Sequence, residues 1–289
     1  MTVNDLYLDF QQNYMNVRLR QSTIRGYSVN IENHALPLIG NIDAGLLTVS
    51  DLDRLSSDLL CRLSAKSVVY VHASVRKMFN YAIKRGYIVT TPYDLFDMPK
   101  VERYRYTVLD REQKKRLLAA CAGSPIEAPV LLSLCYGLRR GECLGIIPEK
   151  DISIGRGVLH IQRTRSVERG REVVTPCKTE KSNREILLDP EIMKRIFRIR
   201  KLTGGKYLCN LSPASLGKQF KKLLQSAGLP PIRFHDLRHS YATYMLEYGV
   251  NPKIVSSVLG HSSVSVMLDI YSHADVRMQS VCLEAFREL

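Results

Sequence analysis

Residues 151–188 read DISIGRGVLHIQRTRSVERGREVVTPCKTEKSNREILL, and this stretch decides the fold class. Turn-rich segments with glycine or asparagine divide it into four β-rich runs, at 151–154, 158–164, 172–175 and 184–188. Short strands joined by short turns form hairpins, so we expect one small antiparallel sheet. Helical periodicity on both sides of this sheet predicts a mixed α+β domain that is mainly α.

Helical patterns extend outward from the predicted sheet. Asp110 and Gln113 have the spacing of a capping box, which predicts a helix start at this point, and an apolar helix is predicted over 130–136. The domain is therefore expected to cover 110–289. Downstream of the sheet, apolar periodicity predicts helices at about 189–202, 213–227, 234–247, 252–259 and 263–271, and a tail helix at 274–289.

The first 98 residues are predicted to form a second, all-α domain. Apolar residues at three-to-four spacing indicate a helix that Ser64 opens and Gly86 ends. Another helix is predicted from Ser22 to a point before Pro37, because proline breaks a helix interior. Residues 99–109 begin with a proline and follow neither a helical nor a strand period, so they are predicted to be a linker.

The charge of the chain points to an anionic partner. The formal net charge is +14, and 45% hydrophobic with 24% charged residues is typical of a globular protein. Residues 1–98 carry +1 and residues 99–289 carry +13. Nucleic acid is the first candidate partner and an acidic membrane surface is the second. The remaining alternative is a soluble basic protein whose charge serves no particular partner. Seven cysteines without a C-x-x-C pair indicate reduced thiols in the cytoplasm, and no apolar run is long enough to cross a membrane.

Three motifs carry residues suited to phosphate chemistry. GLRRGE at 137–142 follows an apolar helix, and its glycines predict a turn that presents Arg139 at a helix start. In HDLRH at 235–239, His235 and Arg238 are three residues apart, on one face of a helix where both could reach one phosphate. LGH ends at His261, and Tyr271 follows ten residues later. These residues together predict an anion site with a phenol beside it.

The motifs together resemble those of the tyrosine recombinase (phage integrase) family, which carries Arg, Lys, His-x-x-Arg, His or Trp, and Tyr in this order. GLRRGE, HDLRHSYAT and LGHSSVSVMLDIYSH match three boxes, and TPCKTEKSNR resembles the β-hairpin lysine segment. Motifs cover about the last 180 residues, whereas the first 98 match only the general outline of the family's helical core DNA-binding domain. The implied catalytic residues are Arg139, Lys178, His235, Arg238, His261 and the nucleophile Tyr271.

The resemblance implies a role for each residue. Tyr271 attacks a DNA phosphate to give a 3′-phosphotyrosine, and Lys178 is the general acid for the 5′-oxygen. The non-bridging oxygens are held by Arg139 and Arg238, and His261 donates to a phosphate oxygen. His235 helps to remove or hold the tyrosine proton. Glu142 is expected to orient the site rather than react, and its simplest alternative role is a surface ion pair with Arg139 or Arg140. No cofactor or metal is implied.

The resemblance also implies partners. The function would be site-specific recombination, either integration and excision of a mobile element or Xer-like resolution, on double-stranded DNA sites in the cytoplasmic nucleoid. A homo-tetramer on two sites would exchange the tail helix 274–289 in trans, with accessory DNA-bending proteins as further candidate partners. No arm-binding domain is expected within these residues. The near-neutral first domain needs a local basic face for DNA, with Arg76, Lys77, Lys84 and Arg85 as candidates.

Three alternatives stay open at this point. His235-Asp236-x-x-His239 imitates the H-E-x-x-H helix of zinc hydrolases, although Asp is short for the Glu role and Arg238 would bring a cation toward the metal. A non-catalytic DNA-binding protein could use the same fold. A type IB topoisomerase shares the proposed chemistry and would relax supercoils without a second DNA site.

Overall fold

The structure, a computed structural model, describes residues 1–102, 107–168, 170–177 and 182–260. The chain divides into two compact units, Met1–Tyr104 and Arg105–Leu289, and the division falls inside the predicted linker 99–109. Most of the described chain is helical, with small antiparallel sheets in the second unit. Within the described residues, no helix is both long enough and apolar enough to span a bilayer.

The regular structure of the N-terminal unit is helical. Two π-helical turns, Gln11–Met15 and Ile31–Ala35, join consecutive helices into longer helical paths. A short 3₁₀ turn, Pro92–Asp94, follows the last helix. The helices are α1 Val3–Phe10, α2 Asn16–Arg18, α3 Gln21–Asn30, α4 Leu36–Ile39, α5 Val49–Leu60 and α6 Ala65–Arg85.

Helix α6 is the longest helix described in this unit and follows the sequence prediction closely. The Ser64 hydroxyl accepts a hydrogen bond from the backbone N–H of Ser67, which caps the first turn. Gly86 ends the helix with φ +75°, a left-handed conformation that suits glycine. The residues predicted to face inward are all buried in one core: Val68, Val71, Val75, Phe79 and Ala82.

The second predicted helix runs further than the sequence indicated. The prediction placed its end before Pro37, but helical backbone continues through Ile31–Ala35 and α4 as far as Ile39. The prediction was wrong because Pro37 lies in the first turn of α4, where a backbone N–H needs no intrahelical acceptor. Ile31, Ala35 and Ile39 are all buried, so the extension completes the core.

The second unit contains eight described helices, and α8 is the central one. One side of α8 contributes Val130 and Leu134 to a core with α7, α12 and α13, and the other contributes Leu132 to a core with the sheet. Burial on both sides explains why this helix is apolar all round. The helices are α7 Arg111–Ala120, α8 Glu127–Tyr136, α9 Arg140–Gly145, α10 Pro148–Asp151, α11 Pro190–Thr203, α12 Pro213–Ser226, α13 Asp236–Glu247 and α14 Pro252–Leu259.

Most helix predictions for this unit agree with the structure. Asp110 and Gln113 form the predicted capping box at the start of α7. Helix α8 begins at Glu127, three residues before its predicted start, and α11, α12 and α14 lie within one residue of their predicted ends. The predicted helices at 263–271 and 274–289 lie outside the described residues.

The β structure differs from the single sheet that the sequence predicted. One antiparallel sheet has the order β1 Ile152–Ser153, β2 Val158–Ile161 and β5 Arg184–Leu187. A separate ribbon pairs β3 Arg163–Glu168 with β4 Arg171–Pro176. The predicted run 158–164 was wrong as one strand, because its buried apolar part ends at Ile161. The polar residues after Gln162 form the hairpin, which packs on α9.

Candidate active site

A glycine turn between α8 and α9 positions the first candidate residue. Gly137 ends α8 with φ +66°, and a Cβ atom at this position would lie 2.8 Å from Cδ1 of Tyr241 and against Leu259. Glycine therefore meets both a backbone and a space requirement here. Arg139 is the N-terminal cap residue of α9, as predicted, and its side chain remains 34% exposed.

Glu142 is buried beneath this turn. Its side chain is 1% exposed and accepts hydrogen bonds from the Arg139 backbone N–H at 2.9 Å and from Nη1 of Arg139 at 2.8 Å. Burial alone would raise the pKa of the carboxyl, but the hydrogen bonds and charges of Arg184 and Arg139 outweigh burial and lower this pKa. The ion pair with Arg139 that was considered as an alternative is therefore present, but Glu142 is a buried counter-ion rather than a surface one.

Arg184 is a member of this cluster that the sequence reasoning missed. Both of its terminal nitrogens donate to Glu142, at 3.1 Å and 3.0 Å, in a bidentate fork. The available signal was an arginine after the polar run TEKSN and before an apolar strand, which sequence alone cannot distinguish from a solvated charge.

Arg238 lies in the first turn of α13 and is 2% exposed. Its guanidinium donates to the carbonyl of Gly137 at 2.7 Å and to that of Leu259 at 2.8 Å. Burial, followed by the nearby charge of Arg139, lowers the pKa of Arg238 to about 9. A cation held in this way is stabilised further by any anion that enters beside it.

Helix α14 ends among the three arginines. Its last carbonyls have no intrahelical donors and carry the negative end of the helix dipole. Arg184 Nε donates to Val258 at 2.5 Å, and Arg139 Nη2 donates to Gly260 at 2.8 Å. The Leu259 carbonyl accepts from Arg238 and, at 3.4 Å, from Arg139. Arg139 and Arg238, 99 positions apart in sequence, thus reach one oxygen atom.

His235 immediately precedes α13 rather than lying within it. The sequence predicted a helix from 234, but α13 begins at Asp236, whose carboxylate accepts the Arg233 backbone N–H at 2.8 Å and so closes the preceding turn. Burial, followed by the neighbouring charges of His239 and Arg238, lowers the pKa of His235 to about 4. The imidazole is therefore neutral at neutral pH, so one of its ring nitrogens can accept a hydrogen bond.

The zinc reading of His235-Asp236-x-x-His239 meets a specific obstacle. Both carboxylate oxygens of Asp236 are engaged by Arg233, through its guanidinium and its backbone N–H. The ring centroids of His235 and His239 lie 5.0 Å apart, and the two rings are perpendicular. In the part of the chain that the structure describes, no three His, Cys, Asp or Glu side chains are grouped as metal ligands.

Three predicted residues and one segment cannot be placed. Lys178, His261, Tyr271 and the tail helix 274–289 lie outside the described residues. The described chain brings Arg139, Glu142 and Arg238 together, with His235 close enough that the charges of both arginines lower its pKa.

A second basic site lies in the N-terminal unit. Lys77, Lys84 and Arg85 line one groove, whereas Arg76, also predicted to contact DNA, is exposed but is not among the lining residues. Lys77 Nζ lies 5.5 Å from the centre of the Tyr14 ring, and Arg18 lies 5.9 Å from the same ring, both within cation–π range. The groove has the lining Asn13, Tyr14, Arg18, Lys77, Asn80, Tyr81, Lys84 and Arg85, none of which is acidic.

The chain is similar to known proteins in both family and sequence. The model of the phage integrase family matches residues 107–278. A tyrosine recombinase XerC-like protein of Caldanaerobacter subterraneus is 29% identical over 263 residues, which cover 78% of this chain and 67% of that protein. Tyrosine recombinase XerD of Neisseria meningitidis is 26% identical over 284 residues, 94% of each chain.

Solved structures share the fold. The Tn1549 transposon integrase in complex with transposon right end DNA superimposes with a TM-score of 0.86, at 21% identity and 99% coverage of each chain. A lambda integrase tetramer bound to a Holliday junction gives a TM-score of 0.73 at 18% identity, over 96% of this chain and 78% of that chain.

Proposed function

The chain belongs to the phage integrase family, which confirms the resemblance of its motifs, and we propose that it is a site-specific DNA recombinase. It cuts and rejoins DNA strands through a 3′-phosphotyrosine on Tyr271. One observation carries the proposal: Arg139 and Arg238 converge on a single oxygen atom, with His235 beside Arg238. Two guanidiniums at this spacing can bind the non-bridging oxygens of one phosphodiester.

The reaction needs charge stabilisation, a nucleophile and a proton for the leaving group. Tyr271 Oη bonds to phosphorus while the bond to the 5′-oxygen breaks, and Lys178 supplies the proton that this oxygen takes. His235, which is neutral at neutral pH, accepts a hydrogen bond from the phenol and so helps to remove or hold its proton. His261 donates to a phosphate oxygen. The reverse steps, with a 5′-hydroxyl from another strand, reseal the DNA.

Glu142 is a positioning residue in this scheme. Its carboxylate holds Arg139 at the start of α9 through both the backbone and the side chain. It also balances the charge of buried guanidiniums, which would otherwise repel each other. It makes no contact with phosphate in the proposed reaction.

Residues 1–98, which lie within the N-terminal unit, are proposed as the core DNA-binding domain, joined by the linker 99–109 to a catalytic domain at 110–289. The groove lined by Lys77, Lys84 and Arg85 supplies the local basic face that a near-neutral domain needs. Cation–π contacts hold the basic groups of Lys77 and Arg18 near the ring of Tyr14 without neutralising them. The amide of Asn80 adds a group that can hydrogen-bond to base edges.

The assembly is proposed as four protomers on two DNA sites, which exchange the tail helix 274–289 in trans. A tetramer of lambda integrase on a Holliday junction has the same fold, which supports this proposal. The DNA substrate implies work at the cytoplasmic nucleoid, on the ends of a mobile element or at a resolution site, with accessory DNA-bending proteins as further partners. If removal of residues 278–289 left cooperative assembly on DNA unchanged, the exchange would be refuted.

A trapped covalent adduct tests the chemistry. The protein is incubated with nicked duplexes from the DNA flanking its coding sequence, where loss of a short 5′ fragment prevents religation. We expect a protein–DNA adduct in denaturing gels, absent from Tyr271→Phe and present in Tyr248→Phe, whose tyrosine is 76% exposed. An adduct that survives Tyr271→Phe would refute the assigned nucleophile. Relaxation of supercoiled DNA without a second site would favour the topoisomerase alternative.

A further inference from the structure

Arg184 connects three segments of the second unit. It opens β5 with a side chain only 8% exposed. Its fork binds both oxygens of Glu142 on α9, Nε binds the Val258 carbonyl at the end of α14, and Nη1 binds the Ser182 carbonyl at 3.2 Å. Four hydrogen bonds from one buried guanidinium fix α9 and α14 relative to β5.

Arg139 depends on the same two supports. Its Nη1 donates to Glu142 Oε1, an atom that also accepts from Arg184 at 3.1 Å. Its Nη2 donates to the Gly260 carbonyl, two residues beyond the carbonyl that Arg184 holds. The place of the Arg139 guanidinium is therefore set by a carboxylate and a helix end that Arg184 fixes.

Lysine cannot replace this contact. The planar guanidinium makes two parallel bonds to Glu142 and a third bond, from Nε, to Val258 in another direction. A single ammonium keeps the charge but not the fork geometry. An Arg184→Lys variant thus separates the charge of the group from its geometry.

We propose that Arg184 is a positioning residue, which aims Arg139 at the reacting phosphate by fixing Glu142 and the end of α14. This inference rests on the proposed function. Arg184 itself does not touch the DNA. Because small displacements of a catalytic group cost rate more than binding, the defect of Arg184→Lys falls on the cleavage rate.

Single-turnover cleavage of a nicked duplex tests the proposal. The rate constant reports the geometry of competent sites, and the final adduct amplitude reports their number. For Arg184→Lys we expect a rate constant about 100-fold lower, with the amplitude and the half-saturating DNA concentration within about twofold of the parent. A purely structural role predicts the opposite, a lower amplitude with an unchanged rate constant, and that result would overturn the proposal.

Two control variants and one double variant sharpen the test. Arg156→Lys alters an exposed arginine that pairs with Glu185, the neighbour of Arg184 on β5, and we expect parental kinetics. Arg163→Lys alters a partner of the buried Asp151 and controls for lost stability. Arg184→Lys combined with Glu142→Gln should be no slower than the slower single variant, because both act through one network, whereas additive defects contradict the proposal.

The outcomes separate this inference from the proposed function. If the parent and Arg156→Lys form adducts and Arg184→Lys cleaves at the parental rate, the positioning role is wrong and the recombinase function stands. If the parent forms no adduct on any nicked duplex, the proposed function fails and the inference falls with it.

Discussion

The two units hold their positive charges in opposite ways. In the second unit, Arg184 and Arg238 are almost fully buried, and each donates to carbonyl or carboxylate oxygens of other segments. In the N-terminal unit, Lys77, Lys84 and Arg85 are exposed along one groove, with Lys77 lying over an aromatic ring. The same residue types thus serve two physical purposes.

Burial explains the difference. A buried guanidinium must have its donors satisfied, and the acceptors that satisfy it also fix its direction. Such a group suits a reacting phosphate, which requires fixed geometry. Exposed side chains keep their rotamer freedom and their hydration, so they suit salt-dependent attraction to a DNA backbone. The comparison predicts stability and rate defects from the first cluster and salt-sensitive binding defects from the second.

The largest effect is expected from the counter-ion of the buried cluster. Glu142→Gln removes the only negative charge that Arg139 and Arg184 share within the described residues. Since an uncompensated buried charge is costly, we expect about 3–5 kcal/mol lower stability of the second unit by urea denaturation. Glu185→Gln, which alters an exposed pair with Arg156, should change stability by less than about 0.5 kcal/mol. Equal losses in the two variants would contradict the distinction.

The next effect concerns the cleavage rate. Arg238→Lys keeps a positive charge, but its single ammonium nitrogen cannot reproduce the planar fork in which Nη1 bonds to Gly137 and Nη2 bonds to Leu259. We expect the single-turnover rate constant to fall by about 10²–10³-fold, with near-parental DNA affinity. Arg200→Lys is the matched control. Arg200 pairs with Glu149, and its side chain is 23% exposed, compared with 2% for Arg238. A loss below tenfold for Arg238→Lys would show that charge alone suffices.

A buried histidine makes the N-terminal unit sensitive to acid. His72 has no exposed surface and hydrogen-bonds to Ser56 at 2.9 Å and to Tyr93 at 3.1 Å. Burial lowers its pKa from 6.5 to about 4, so between these values the unfolded state binds more protons. The free energy of unfolding of this unit is therefore at its full value above about pH 6.5. It decreases as the pH drops toward 4, by up to about 3 kcal/mol.

Hydrogen exchange measures this effect in the intact protein. Amides of α6, which carries His72, should lose protection between pH 6.5 and pH 4 after correction for the intrinsic exchange rate. His72→Gln retains polar contacts without a titrating group, so the pH dependence of α6 should become flatter. An unchanged profile in His72→Gln would assign the acid sensitivity to another group.

The parts of this molecule that depend on local patterns could be predicted from the sequence. The cap at Ser64, the stop at Gly86 and the box of Asp110 with Gln113 each follow from short-range hydrogen bonding, and all are present. The run 158–164 was misread because the division at Gln162 depends on which element each half packs against. The change from apolar to polar residues after Ile161 is visible in the sequence, but the packing partner of each half is not.

The candidate site shows the same limit. Arg139 and Arg238 could be selected because their motifs have specific spacing. Arg184 could not, since its importance comes from Glu142, 42 positions away, and from the end of α14. Arg76 was named with Lys77, Lys84 and Arg85 as a candidate DNA contact, and of these four residues it is the one that is absent from the groove lining.

The smallest effect tests the groove itself. Lys84→Gln removes one exposed positive charge, and we expect about three- to tenfold weaker DNA binding with the maximum cleavage rate unchanged. If Lys84 neutralises one phosphate, the slope of log affinity against log salt concentration should fall by about 0.9.

Lys66→Gln is the matched control, because Lys66 is exposed on the same helix but is not part of the groove lining. Since any exposed lysine adds to bulk attraction, only a larger slope change for Lys84 than for Lys66 and Arg76→Gln supports direct contact. Equal slope changes in all three variants would show that the groove contributes only general electrostatic attraction and no direct phosphate contact.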